Sequence, residues 1–411
     1  MSSNRWPLRA ALASAVCGAL CSAAAAQTAP PLEILLREAT APRLIVGEAE
    51  TRAAEGRASQ AQARLNPTLD LQVENIGGDR PYRDFQSAET TLSVGQTLEL
   101  GGKRGARAAA ARAEVDIARS RAGLSRITFA RDLAVAYAAA EAASERLDVA
   151  REGVELARAD ARAARLLVDT GKEAELRALQ AQAALSAAQA DVERAEAEAG
   201  GALARLAALT GGEQTYTAVT PGLLDMPSSP AASDDPPLTV AVAEAEQTAA
   251  SRKLDLERRR ATPDVTVNFG IRRLAGDDAT AAVAGISLPL PLFDRNRGAV
   301  KSAQAEADAA RARLAMARAD AVANRREVEG EARAADRIAL AAREGEAAAR
   351  EAYRLARLGY EAGKLPLIEL LAARRDLIAA RQRHIEARLA RAKATADLAQ
   401  AHGQIAFGGA Q

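Results

Sequence analysis

Residues 66–74 read Asn66-Pro67-Thr68-Leu69-Asp70-Leu71-Gln72-Val73-Glu74, and the alternation after the proline decides how the rest of the chain is read. Leu69, Leu71 and Val73 fall on one face of an extended segment and Asp70, Gln72 and Glu74 on the other, the period of two that marks a strand. A loop with Gly77, Gly78, Pro81 and Tyr82 leads to a second alternating run through Leu92, Val94 and Leu98, so 67–75 and 90–99 are predicted to form a strand pair. Gly101 and Gly102 end the pair, and no proline returns until Pro221.

Further along, the same order is written again. Pro263 opens Val265, Val267, Phe269 and Ile271; a Gly276-Asp277-Asp278 turn follows, then Ala284, Ile286, Leu288 and Leu290, which predicts a second pair at 263–273 and 282–292. Pro67 and Pro263 are 196 positions apart, Gly105 and Gly298 are 193, and Gly171 and Gly363 are 192. Three such coincidences in order indicate an internal duplication.

Behind each strand pair stands a long proline-free stretch, 103–168 in the first half and 296–358 in the second. At about 1.5 Å per residue a helix of that length runs roughly 90–100 Å, more than a compact domain can hold. The first carries apolar residues at 3,4 spacing through Leu133, Ala136, Ala140, Ala143, Leu147, Ala150, Val154, Ala157, Ala161, Ala164 and Val168, a coiled-coil seam. The second shows the same spacing at Ala334, Ile338, Ala341, Gly345, Ala348, Ala352 and Leu355, and both copies are expected to pack alike. Shorter helices, 32–65 with 173–209 and 238–261 with 366–406, add up to the length of a long one when stacked end to end. The Gly-, Pro-, Ser- and Asp-rich stretch 211–237 reads as a connector at mid-height.

Composition agrees with packed helices rather than a globular core. Aromatics make up 3% of 411 residues, and 55 basic side chains balance 54 acidic ones, which gives no electrostatic case for nucleic acid. Residues 1–26 read as a secretory signal, with Arg5 and Arg9 before an apolar stretch and Ala24-Ala25-Ala26 as a small-residue cleavage site; that stretch is short for a membrane anchor. Cys17 and Cys21 both fall inside it, each after a larger apolar residue rather than the small one a lipid-attachment site takes. The exported chain therefore has neither disulfide nor thiolate metal site.

The expected organisation is a signal (1–26), a first repeat (27–210), a connector (211–237) and a second repeat (238–411). The expected fold is mainly α with a small β part: long antiparallel helices forming a helical barrel, and four strands per chain. Each strand of about nine to eleven residues fits the apolar band of an outer membrane when tilted. Four strands cannot close in lipid, because an open edge leaves backbone groups unpaired, so several subunits must share one barrel.

Three stretches carry a family resemblance: Leu65-Asn66-Pro67, the run Gln96 to Arg104, and Leu288-Pro289-Leu290-Pro291-Leu292-Phe293-Asp294-Arg295-Asn296-Arg297-Gly298. With them the chain resembles TolC-type outer-membrane factors, and among these the outer-membrane components of heavy-metal (cobalt, zinc, cadmium type) RND efflux systems. The resemblance covers essentially the whole exported chain. It implies a homotrimer with a twelve-stranded barrel in outer-membrane lipid, above a periplasmic tunnel that meets a periplasmic adaptor (membrane fusion protein) and an inner-membrane RND pump. The role implied is a passive exit duct for heavy-metal cations, with drug, solvent or type I secretion cargo as alternatives on the same fold.

Each long helix ends at a glycine turn, Asp169-Thr170-Gly171-Lys172 and Tyr360-Glu361-Ala362-Gly363-Lys364, with Pro366 suited to the first turn of the next helix. Thr170, Gly171, Lys172, Ala362, Gly363 and Lys364 resemble the family's adaptor-docking tips. Tyr360 and Glu369 fall where the family places a gate, and Glu175 is the nearest match in the first half; Leu365 and Ala372 depart from that pattern. His384 and His402 read as surface residues rather than metal ligands, no catalytic constellation is visible, and nothing calls for a cofactor. A periplasmic adaptor or a coiled-coil scaffold is the rival class, but an adaptor needs one hairpin between β-rich halves where this chain has two hairpins and two strand pairs.

Overall fold

A computed structural model describes residues 27–38, 41–83, 85–212, 215–227 and 236–407. The expected signal at 1–26 lies outside them.

Two helices set the scale: α3 (Lys103–Asp169) and α6 (Arg297–Glu361), 67 and 65 residues without a break. Shorter helices lie in line beside each, α2 (Pro42–Gln62) and α4 (Glu175–Thr210) along α3, α5 (Leu238–Arg260) and α7 (Leu367–Ala401) along α6. The two sets join because α3 also packs on α5 and α7. This leaves α3 covered on both flanks, while α2, α4 and α6 are the outer edges.

At one end of the helices lies an antiparallel sheet in the order β2 (Thr68–Glu74), β3 (Glu89–Leu98), β5 (Val265–Leu274), β6 (Ala279–Ser287). Both hairpins of the sequence reading are there, joined through β3 and β5, with Leu71, Leu92, Ile271 and Ala282 in one cross-strand row. The fourth strand, expected at 282–292, runs 279–287 instead, since Pro289 and Pro291 have no N–H to give a ladder. Pro263 similarly delays the third strand to Val265.

Other differences follow from backbone chemistry. The helix expected at 32–65 is two, α1 (Leu32–Glu38) and α2, because Pro42 holds Ala41 extended at φ −58°, ψ 135° and so starts a new helix. The last helix stops at Ala401, where Gly403 turns left-handed, and does not reach 406. The connector is not bare loop: β4 (Tyr216–Val219) pairs in parallel with β1 (Gln27–Ala29).

At mid-height this small ribbon caps the largest core, in which Phe129, Leu133 and Tyr137 of α3 meet Leu203 and Leu206 of α4, Leu224 of the connector and Ile385 of α7. Glu141 of α3, almost fully buried, accepts N–H bonds from Gly222 (2.6 Å), Leu223 (3.0 Å) and Leu224 (3.2 Å), and the Tyr137 hydroxyl donates to Thr220 O at 2.9 Å. One carboxylate thereby satisfies three consecutive donors, of which those of Leu223 and Leu224 are buried.

Packing corrects one seam. Every residue of the α3 stripe is buried or half-buried, as expected, but the α6 stripe from Ala334 to Leu355 is exposed along its whole length, with Ile338 at 58%. The stripe that α6 buries is a different one, Val328, Ala332, Ala335, Ala339, Tyr353, Ala356 and Tyr360. α6 therefore carries two seams, one against its own chain and one facing out.

Candidate channel wall and tips

The sheet has two unlike faces. On one, Leu69, Val94, Phe269 and Ala284 form a row beside Leu71, Leu92, Ile271 and Ala282, and Leu69, Leu71, Phe269, Ile271 and Ile286 are all more than half exposed. The other face carries Asp70, Gln72, Glu74, Ser93, Thr91 and Arg272. Arg272 ties three strands together there, its Nη1 2.8 Å from Glu89, its Nε donating to Thr91 Oγ1 at 2.9 Å and its Nη2 3.5 Å from Glu74. An apolar face this exposed beside a polar one is the pattern of a barrel wall, lipid outside and water inside. No described helix is long and apolar enough to cross a membrane.

At the far end of the helices the two tips share one backbone design. Gly171 N–H donates to Val168 O (2.9 Å) and Lys172 N–H to Leu167 O (2.9 Å); Gly363 N–H donates to Tyr360 O (2.9 Å) and Lys364 N–H to Gly359 O (2.8 Å). Both are six-to-one, five-to-two C-terminal motifs, with Gly171 at φ 70° and Gly363 at φ 71°, where a side chain would be strained. Thr170 Oγ1 donates to Leu166 O at 2.9 Å, and Ala362 N–H to Leu358 O at 3.1 Å, so both tips are tightly closed.

The three gate-position residues are placed differently. Tyr360 is 6% exposed and packs with Leu367, Leu370 and Tyr353 of its own hairpin and with Ala164 and Ala181 of the other; burial raises its hydroxyl's pKa, with Glu173 adding to the effect. Glu175 is exposed and paired with Arg165 at 2.9 Å, which also holds Asp169 at 3.0 Å. Glu369 stands exposed on the first turn of α7, with no ion pair among the described residues.

Sequence reading missed the charge pairs between the hairpins. Arg374, Arg381 and Arg388 of α7 recur every seven residues, which keeps them on one helix face, and they meet Asp160, Glu152 and Glu145 of α3. The Asp160–Arg374 pair, at 2.7 Å, is buried on both sides, and burial raises the Asp160 pKa against the pull of Arg374. Both histidines, expected at the surface, are partly buried and paired: His384 Nδ1 lies 2.6 Å from Glu346 of α6, and His402 Nε2 4.0 Å from Glu329. Burial of Glu346 works to raise its pKa, yet the His384 hydrogen bond and the charges of Arg350 and Arg381 hold it below the ordinary value. No group of three or more His, Cys, Asp or Glu among the described residues is arranged to hold a metal.

An open four-stranded sheet with a membrane-type face, mounted on helices of about 100 Å, defines a class: an outer-membrane channel subunit with a long periplasmic helical part. The sequence pattern of the family described as "Outer membrane efflux protein" matches twice, over residues 36–212 and 237–404, once on each repeat. The chain belongs to that family. It is 44% identical over 389 residues to the nickel-cobalt-cadmium resistance protein NccC of Alcaligenes xylosoxydans xylosoxydans (93% of this chain, 88% of the relative). It is 45% identical over 389 residues to the nickel and cobalt resistance protein CnrC of Cupriavidus metallidurans (93% and 92%). Among solved structures it shares the fold of CusC, a transmembrane channel, with a TM-score of 0.78 at 18% identity over 91% of this chain and 92% of that one.

Proposed function

We propose that three copies of this chain close a twelve-stranded barrel and a continuous helical tunnel, forming the passive exit duct of a tripartite efflux system for heavy-metal cations such as nickel and cobalt. The observation that carries the assembly is the pair of unpaired sheet edges, β2 and β6, on a sheet whose apolar face meets lipid. Neither edge can stay open there, since each orphaned backbone group costs several kcal/mol, roughly. The outward seam of α6 supplies the matching helix contact: Ala305, Ala309, Ala312, Met316 and Ala319 near the sheet, then Ala334 to Leu355 toward the tip, all exposed. Facing edges of a neighbouring copy offer small or apolar residues at the same spacing, Val46, Ala49, Ala53 and Gly56 on α2 and Leu176, Leu179, Ala183, Ala187 and Ala190 on α4.

In this reading Thr170, Gly171, Lys172, Ala362, Gly363 and Lys364 dock a periplasmic adaptor that links the duct to an inner-membrane RND pump. Glu369 supplies a ring of carboxylates at the entrance, Tyr360 holds the two hairpins together when the entrance is shut, and Glu175 is restrained by Arg165. The metal cargo rests on the relatives' names and on the resemblance; selection of the ion falls to pump and adaptor. Assembly is tested by fractionation: a heat-resistant trimer in the outer membrane is expected, and a soluble periplasmic monomer would refute it. Cargo is tested by the nickel and cobalt sensitivity of a deletion strain, and the gate by the cation selectivity of Glu369→Ala in planar bilayers.

A further inference from the structure

Where β6 leaves the sheet toward α6, the chain does not fold back into a core. Leu288 and Leu290 continue the apolar column of Ile286 past the end of the ladder, and Leu292 follows at 66% exposure; Phe293 is 100% exposed. A fully bare phenylalanine next to three exposed leucines is not a soluble surface. Immediately beneath it the chain gathers positive charge: stretches 99–107, 257–264 and 288–297 together hold eight basic side chains against four acidic ones. A cleft of about 570 Å³ opens there, lined by the cations Lys103, Arg260 and Arg295, the carboxylates Asp264 and Asp294, and the loop of Phe293. Lys103 is matched by Asp264 at 2.9 Å; Arg260 meets Glu257 at 2.6 Å through Nη1 alone and keeps its side chain 53% exposed; Arg295 spends only its Nε, on Pro291 O at 3.2 Å, and neither it nor Arg104 nor Arg297 makes an ion pair among the described residues.

We propose that Leu290, Leu292, Phe293, Arg260 and Arg295 form a lipid-docking belt that seats the headgroups of anionic phospholipids in the periplasmic leaflet. The occupant follows from continuity and charge. The leucines and Phe293 extend the face that already meets acyl chains, and the arginines stand one step toward the helices, at the depth of the phosphodiester. Arginine's planar fork suits a phosphate oxygen pair. The belt sets how deep the barrel sits and keeps the helical part perpendicular to the membrane. This inference rests on the barrel reading above.

Its test uses the full-length trimer in nanodiscs of phosphatidylethanolamine containing a minor share of phosphatidylglycerol, with lipids that survive detergent extraction counted by native mass spectrometry and conductance recorded on the same preparation. Phosphatidylglycerol is expected to be enriched over its supplied share. Arg260→Gln and Arg295→Gln each lower that enrichment roughly five-fold, and together about thirty-fold, as about 1 kcal/mol per basic side chain at an anionic surface implies. Phe293→Asp lowers total retained lipid whatever the headgroup. Retention in the supplied ratio, or displacement of lipid by inorganic phosphate, overturns the belt. So does a loss of trimer mass in the arginine variants with the lipid ratio unchanged, which would make the patch a contact between copies. Unchanged conductance in the variants separates failure of the belt from failure of the barrel.

Discussion

Asp160 and Arg374 face each other at 2.7 Å across the contact between the two hairpins, 6% and 9% exposed, and no other ion pair in the described chain is as thoroughly buried on both sides. Such a pair contributes little net stability over an apolar match, yet removing one partner strands the other charge. Arg374→Ala should therefore cost about 3–5 kcal/mol, and Asp160→Leu with Arg374→Met should restore most of it. Hydrogen exchange in the lower thirds of α3 and α7 reads this out; a double variant as labile as the single ones would refute it.

Acid should act on the hairpins in two opposing ways. Glu346 is held below its ordinary 4.5, so the stability it adds is present above that pH and is lost as the pH falls through the lower folded value. Asp160 is raised above 3.8, so the folded chain binds that proton more readily than the unfolded chain does, and stability is lost as the pH rises through the raised value. Exchange rates of α6 and α7 across acidic pH on both sides of 4.5 are expected to lose their acid limb in Glu346→Gln, while Asp160→Asn flattens the limb of opposite slope.

Replacing Glu141 tests the connector. Alanine there leaves the N–H groups of Gly222, Leu223 and Leu224 without their acceptor, at about 1–3 kcal/mol for each buried donor that finds no water. Glu141→Gln keeps one acceptor oxygen and should lose less. Limited proteolysis between 211 and 227 is the measure, with cleavage fastest in the alanine variant and slowest in wild type.

At the tips, a side chain at Gly171 or Gly363 would meet open space, so the cost of Gly171→Ala or Gly363→Ala is conformational alone, roughly 1–2 kcal/mol. Asparagine, which tolerates the left-handed region, should cost less. Local exchange of the last helical turn orders the series Gly, Asn, Ala from slowest to fastest, and adaptor capture by the same variants follows that order if the turn is what the partner reads.

Much of this architecture was legible because its signals are periodic and long. Alternation from Thr68 to Glu74 and from Val265 to Ile271 fixes strands, and two proline-free stretches fix helices, whichever neighbour they meet. The tips were legible from glycine, since few residues close a helix as Gly171 and Gly363 do. What stayed hidden depends on which element lies next to which. α6 has two stripes of equal quality, and spacing alone cannot say that Val328 to Tyr360 faces the chain's own partner while Ala334 to Leu355 faces outward. The three residues of β1 and four of β4 are too short for any period to show. Arg374, Arg381 and Arg388 did carry a heptad signal, but their carboxylate partners lie more than two hundred positions away, in a helix whose register only the fold supplies.

The matched hydrogen bonds of the two tips, repeated 192 positions apart, would give the mouth of the proposed assembly a rotational order higher than its composition. In the trimer proposed above, three copies would present six turns of one backbone contour, and the rim would be threefold in chemistry and nearly sixfold in shape. A partner that reads contour can seat at every turn. One that reads side chains meets Asp169-Thr170-Gly171-Lys172 and Glu361-Ala362-Gly363-Lys364 in alternation, and so finds two kinds of seat on a single ring.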